Sequence, residues 1–158
     1  SEREVEFLRK KNCKIVAVDF DDRQIALSKK LNPNIKHIFM DASKYLASMK
    51  FDYIIGNFNF INYLTKEQRI SFIKCCEHNL KDNGKALLVT RDKHTTLRLF
   101  LRSILKKENN ANKDYYYNPK QINEWFVNTN LKYEKFKIND TNLIIITKAD
   151  GKSSKEIK

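Results

Sequence analysis

Short apolar runs alternate along the chain with stretches whose apolar positions recur every three or four residues, and that alternation sets out the elements. Residues 2–11 put Val5 and Leu8 on one side of a charged segment, the spacing of a helix. Lys14–Val18 (KIVAV) is a β-branched apolar run of the kind buried in a parallel sheet. Asp21–Leu31 returns to helical spacing, with Ile25, Ala26 and Leu27 expected inward and Asn32-Pro33 ending it. Ile35–Met40 reads as a second strand, followed by a single turn through Ala42–Met49.

Phe51–Gly56 (FDYIIG) is a third strand. Thr65–Leu80 is the clearest helix, because Thr65 and Gln68 have the spacing of a capping box. Its stripe is Ile70, Phe72, Ile73 and Cys76, and Asn83-Gly84 is expected to close it. Lys85–Thr90 (KALLVT) is a fourth strand and His94–Lys107 a helix, with Leu97, Leu101 and Ile104 inward. Arg98 and Arg102 then share a solvated face, and Asn109–Asp114 is a polar loop. Asn118-Pro119 opens another helix through Trp125 and Phe126. Tyr133–Ile138 and Asn142–Lys148 lie either side of Asn139-Asp140 as a hairpin, and residues 149–158 read as a disordered basic tail. Strands alternating with helices predict an α/β fold with a mostly parallel sheet and a C-terminal antiparallel hairpin, a single domain over 1–148.

The net charge of +12 changes the picture less than its size suggests. It is spread as +4, +3 and +5 over residues 1–50, 51–100 and 101–158, with no basic arm. Lys outnumbers Arg 24 to 7, as codon bias in an AT-rich genome would produce. A diffuse solvated surface is the plain reading, and a surface for a polyanion such as RNA is the alternative. Cys13, Cys75 and Cys76 have no metal-ligand spacing, so no metal is expected; they read as reduced core thiols of a cytoplasmic protein. No apolar run is long enough for a membrane-spanning helix.

In a parallel sheet, ligands bind beyond the carboxyl ends of the strands. There stand Asp19-Phe20-Asp21, then Asp41-Ala42, then Gly56-Asn57-Phe58-Asn59-Phe60, then Arg91-Asp92. Carboxylates after neighbouring strands suit a nucleoside, one for ribose hydroxyls and one for an adenine amine, with an aromatic covering the base. The same residues also have local readings. Asp19 and Asp41 are natural turn formers, Phe20 a core aromatic, Asn57 and Asn59 loop caps, and Phe60 and Tyr63 packing residues. His37 and His78 read as surface residues.

The order and spacing of these segments resemble the class I S-adenosylmethionine-dependent methyltransferases over about residues 2–148. KIVAVDFD is similar to the family's second strand with its ribose-binding acid, IKHIFMDASKY to the third strand, and FDYIIGNFNFINYL to the fourth with the loop under the methyl donor. LKDNGKALLVT resembles the turn into the fifth strand, and YYYNPKQINEWFVNTNLKYEKFKI the last helix and hairpin. The resemblance implies a Rossmann-like three-layer sandwich with S-adenosyl-L-methionine as cofactor, held by Asp19, Phe20, Asp41, Ala42, Asn57 and Phe58. Asp92, His94 and Tyr63 are the candidate bases, and a small molecule is the implied acceptor, since GNFNFINYL lacks the Asn-Pro-Pro-aromatic signature.

The departure lies at the start. The family opens with a strand and a Gly-x-Gly loop, and no glycine precedes Gly56 here. The chain is therefore expected to be N-terminally incomplete, or to receive the first strand from a partner chain. Two alternatives stand beside small-molecule methyl transfer: an RNA (cap-type) methyltransferase, and a non-catalytic methyltransferase-like subunit.

Overall fold

The computed structural model describes residues 2–56, 60–91, 117, 119–138 and 141–149. The chain divides into two compact units, Ser1–Leu46 and Ala47–Lys158. The helix expected over 94–107, the loop over 109–114 and the tail from 150 lie outside the described residues.

The first unit is built from α1 (Glu2–Lys10), β1 (Val16–Asp19), α2 (Asp22–Leu31) and β2 (Lys36–Phe39), ending in a 3₁₀ turn over Ala42–Lys44. Helix α1 stops because Asn12 adopts φ 55°, a left-handed conformation that asparagine tolerates. β1 and β2 pair in parallel from Val16 opposite Lys36 to Asp19 opposite Phe39. The crossover helix α2 starts where Asp21 accepts a hydrogen bond from the Arg23 N–H, and ends where the Asn32 N–H donates to the Ser28 carbonyl.

Of the three α2 residues expected inward, only Ile25 is buried; Ala26 and Leu27 are exposed. Each helical residue rotates the side chain by about 100°, so a face turned on Ile25 carries its two successors away. Ser28, one turn on, meets His37 on β2 at 2.9 Å. His37 is accordingly half-buried rather than a surface residue, and Cys13 is exposed rather than in the core.

The second unit contains β3 (Phe51–Gly56), α3 (Phe60–Tyr63), α4 (Lys66–Asn79), β4 (Leu80–Arg91), α5 (Pro119–Trp125), β5 (Leu131–Ile138) and β6 (Thr141–Lys148). The sheet order is β3-β4-β6-β5, with β3 and β4 parallel and the other pairs antiparallel. Alternate residues of β4 and β6, Ala86 and Leu88 with Ile144 and Ile146, are buried along with Phe72, Ile73 and Cys76 of α4. That is the two-residue period of a strand meeting the helical stripe. Ile122 and Trp125 of α5 are buried too, and the Trp125 ring packs edge-on against Tyr117 at 4.8 Å. The α4 capping box forms in both directions.

The Asn83-Gly84 turn does not close α4. The helix ends at Asn79, Leu80 already pairs with Phe51, and Lys81–Gly84 falls within a ladder irregularity before Lys85 meets Tyr53. A Cβ on Gly84 would sit 2.9 Å from the Phe51 carbonyl oxygen and 3.1 Å from the Lys81 nitrogen. Backbone packed that closely admits only glycine.

Among the described residues, β1 pairs only with β2, and β3 only with β4. The far edge β5 is studded with Lys132, Glu134, Lys135 and Lys137, the charges that discourage edge pairing. β3 carries one charge, Asp52, and β1 carries Asp19 at its end.

Replacing the α4 cap, Thr65→Ala, is expected to cost about 1 kcal/mol of stability in urea denaturation. An unchanged midpoint would show that the box contributes nothing.

Candidate functional site

The parallel register of the first unit brings two strand ends side by side. Asp19 stands opposite Phe39, and the Met40 N–H donates to the Asp19 carbonyl at 2.9 Å. Asp41 follows one residue later. Each acid also shapes its own turn: Asp19 Oδ1 accepts from the Asp21 N–H at 3.0 Å, and Asp41 Oδ1 from the Ser43 N–H at 2.9 Å. The turn-forming reading of both residues is thus correct as far as one oxygen goes. Asp19 Oδ2 makes no hydrogen bond to any described residue, so an acceptor remains beside a fixed turn. Ala42 opens the 3₁₀ turn that Asp41 caps.

Phe20 is 66% exposed, which corrects the core-aromatic alternative. Phe39 and Met40, at the end of β2, are exposed as well. They were missed in the sequence, although the apolar run IFM reaching the strand-end Asp41 signals them. Three exposed apolar side chains beside a carboxylate pair suit a flat, partly apolar ligand with polar edges.

Asp21 caps α2, and Arg23 Nε lies 3.5 Å from its Oδ1. Partial desolvation raises its carboxyl, but the Arg23 and Gln24 backbone N–H groups and the Arg23 guanidinium outweigh that and hold it below the ordinary value.

In the second unit β3 delivers Gly56, which is buried, to the strand end. Asn57 and Phe58, which follow it, lie outside the described residues, as do Asp92 and His94. Tyr63 ends α3 and is 76% exposed, so its ring is not a packing residue. Phe60 does pack, edge-on against Phe72 at 4.9 Å. Arg69 holds α3 to α4: its Nε donates to the Ile61 carbonyl at 3.0 Å, and its guanidinium lies 4.7 Å from the Tyr117 ring centroid. Of the candidate residues, the structure brings Asp19, Phe20, Asp41 and Ala42 together in the first unit, while Tyr63 stands on the second.

Among the described residues no group of three or more His, Cys, Asp or Glu side chains is arranged to hold a metal ion, and no helix is long and apolar enough to cross a membrane. Cys75 and Cys76 are buried and form no disulfide, and burial pushes the Cys76 thiol far up.

No protein-family model matches the chain, and no curated protein matches its sequence. Solved structures do match its fold. A TehB-like SAM-dependent methyltransferase from Corynebacterium glutamicum superposes at a TM-score of 0.66 and 16% identity, over 90% of this chain and 72% of that one. A putative type 11 methyltransferase from Sulfolobus solfataricus gives 0.68 and 14%, over 96% and 80%. The glycopeptide N-methyltransferase MtfA complexed with S-adenosyl-L-methionine gives 0.66 and 12%, over 89% and 75%. The chain therefore has the Rossmann-like α/β fold of the SAM-dependent methyltransferases, a mostly parallel arrangement finished by antiparallel strands, as its strand-end motifs imply.

The burial of the vicinal pair has a direct readout. In the native protein at mildly alkaline pH, a thiol reagent is expected to modify Cys13 rapidly and Cys75 and Cys76 only after denaturant is added. Equal rates at all three would remove the pair from the core.

Proposed function

We propose that the protein is an S-adenosyl-L-methionine-dependent methyltransferase acting on a small-molecule acceptor. The observation that carries this reading is the placement of Asp19 at the end of β1 and of Asp41 just past the end of the adjacent parallel strand β2, with Phe20, Phe39 and Met40 exposed beside them, in a fold shared with such enzymes.

The residues present fit the nucleoside half of the cofactor. Asp19 has an oxygen left over to accept from ribose hydroxyls, and its position is fixed by the turn it makes with Asp21. Asp41, held by Ser43, is placed to accept from the adenine amine, with Ala42 beside it and Phe20 covering the base. Asn57 and Phe58, directly after β3, are assigned to the floor under the methyl donor. When bound, S-adenosyl-L-methionine supplies an electrophilic methyl group. The protein's work is then to align the acceptor with that group and to exclude water. Where the acceptor must lose a proton, Asp92, His94 or Tyr63 takes it.

The small-molecule acceptor is supported by the Gly56–Phe60 segment, which lacks the Asn-Pro-Pro-aromatic pattern, and by the glycopeptide enzyme among the structural neighbours. The edges of β1 and β3 that no described strand covers support a further strand, with a glycine loop, supplied by another segment or a partner chain. A parallel strand is stable when paired along both edges and covered on both faces.

Calorimetry with S-adenosyl-L-methionine tests both parts. The 158-residue chain alone is expected to show no saturable binding in the micromolar range. A fusion placing a strand and a Gly-x-Gly loop ahead of Glu2 is expected to bind. In that fusion Asp19→Asn, which keeps the turn-forming oxygen but removes the charge, should weaken binding by about 1.5–3 kcal/mol, the worth of hydrogen bonds to a charged group. Unchanged affinity would take Asp19 out of the site, and micromolar binding by the chain alone would make the extra strand unnecessary.

A further inference from the structure

The first unit is polarised. Asp19, Asp21, Asp22 and Asp41 stand at the carboxyl ends of β1 and β2 or in the turns directly after them, with Arg23 and Lys44 as the bases of that end, while the unit's remaining acids, Glu2, Glu4 and Glu6, lie on α1. The opposite pole, where the two strands begin, gathers the bases. Helix α1 ends in Arg9 and Lys10, and Lys11 and Lys14 lie in the connection into β1. Helix α2 ends in Lys29 and Lys30 and leads back to Lys36, the first residue of β2. Because Val16 pairs with Lys36, and the Lys36 N–H donates to the Ile15 carbonyl, both connections reach the same pole. All of these cations are exposed.

Helix macrodipoles account for basic residues in the last turns of α1 and α2. They do not account for Lys11, Lys14 and Lys36, which lie outside any helix. Nor does ordinary surface pairing. Elsewhere some lysines meet carboxylates, Lys66 with Glu124 at 2.8 Å, Lys81 with Asp52 at 2.8 Å and the half-buried Lys148 with Asp82 at 2.9 Å, while Lys44, Lys74 and Lys85 stand singly and make no ion pair with any described residue. Among the described residues at the basic pole the one such pair is Lys10 with Glu6, at 2.8 Å within α1. Lys11, Lys14, Lys29, Lys30 and Lys36 make no ion pair with any described residue.

We propose that this pole, built by the α1–β1 and α2–β2 connections, binds the phosphate backbone of single-stranded RNA. The cations come from two separate connections and spread over one end of the unit, which suits a run of phosphates. A helix lying in a lipid interface would instead carry its bases along one of its own faces. Phosphate contacts from lysines give affinity without sequence preference and release counterions. The opposite end, with Asp19, Asp21, Asp22 and Asp41 against Arg23 and Lys44, carries net negative charge and disfavours the same polymer. This surface stands independently of the cofactor reading, because none of its residues belongs to the nucleoside site.

The test is fluorescence anisotropy of a labelled oligouridylate of about 20 nucleotides with the full chain, over a salt series. Binding should weaken with salt, with a log–log slope of about −0.7 for each phosphate neutralised. The triple variant Lys11→Gln/Lys14→Gln/Lys36→Gln should bind at least about tenfold more weakly and lose about 2 from that slope. A control, Lys66→Gln/Lys81→Gln/Lys148→Gln, removes the same charge elsewhere and should bind like the unmodified chain, with circular dichroism confirming that both variants fold. Equal losses in the two variants would show that the net charge binds RNA diffusely and would overturn the proposal. So would no measurable RNA binding, or salt-sensitive binding to vesicles of anionic lipid that the polar triple variant abolishes while RNA is ignored.

Discussion

A parallel pair of strands cannot be joined by a tight turn, and each pair in this protein is closed by a crossover through helix. In the first unit α2 carries the chain from the end of β1 back to the start of β2; in the second, α3 and α4 carry it from β3 to β4. That constraint puts the carboxyl ends of the two strands in each parallel pair at one pole and the carboxyl end of the crossover helix at the other. Chemistry then segregates. Turn-forming acids that cap the next helix collect where strands end, and bases that complement helix dipoles collect where strands begin. The Asp19–Asp41 pair and the basic pole are two results of one topology.

The same topology explains what each acid does with its oxygens. A carboxylate after a strand is drawn to the nearest backbone N–H of the turn, as Asp19 is to Asp21, Asp21 to Arg23 and Asp41 to Ser43. At Asp19 capping and ligand binding do not compete, because its carboxylate has two oxygens and the turn uses one. The turn fixes the side chain before any ligand arrives, which lowers the ordering cost of binding. Structural and functional readings of Asp19 describe its two halves.

Much of this was legible in the sequence where local chemistry decides the outcome. FDYIIG forms a strand with the expected bounds, and Thr65 with Gln68 makes the expected capping box. The hairpin around residues 139–140 pairs as its two runs predict. The misses arise where tertiary contacts decide. Leu27 has a core residue's chemistry, but the helix is turned on Ile25 and Ser28. Asn83-Gly84 looks like a helix stop, yet Gly84 serves a close approach to the Phe51 carbonyl that no local pattern announces. The basic pole was invisible because its lysines are scattered between positions 9 and 36, and counting charge by blocks dilutes them.

The antiparallel pairing of β4 with β6 also governs the order in which the chain becomes structured. Val16 meets Lys36 across 20 residues, whereas Val89 waits for Leu143, 54 residues further along. The difference in loop-closure entropy is only about 0.9 kcal/mol. The delay on the ribosome is larger: at roughly 5–20 residues per second, β4 emerges some 3–11 seconds before its partner exists. Through that interval KALLVT is an apolar edge without its central neighbour, while β1 and β2 of the first unit are both already made. The vulnerable moment in the life of this protein is therefore the time between the synthesis of Arg91 and that of Thr141.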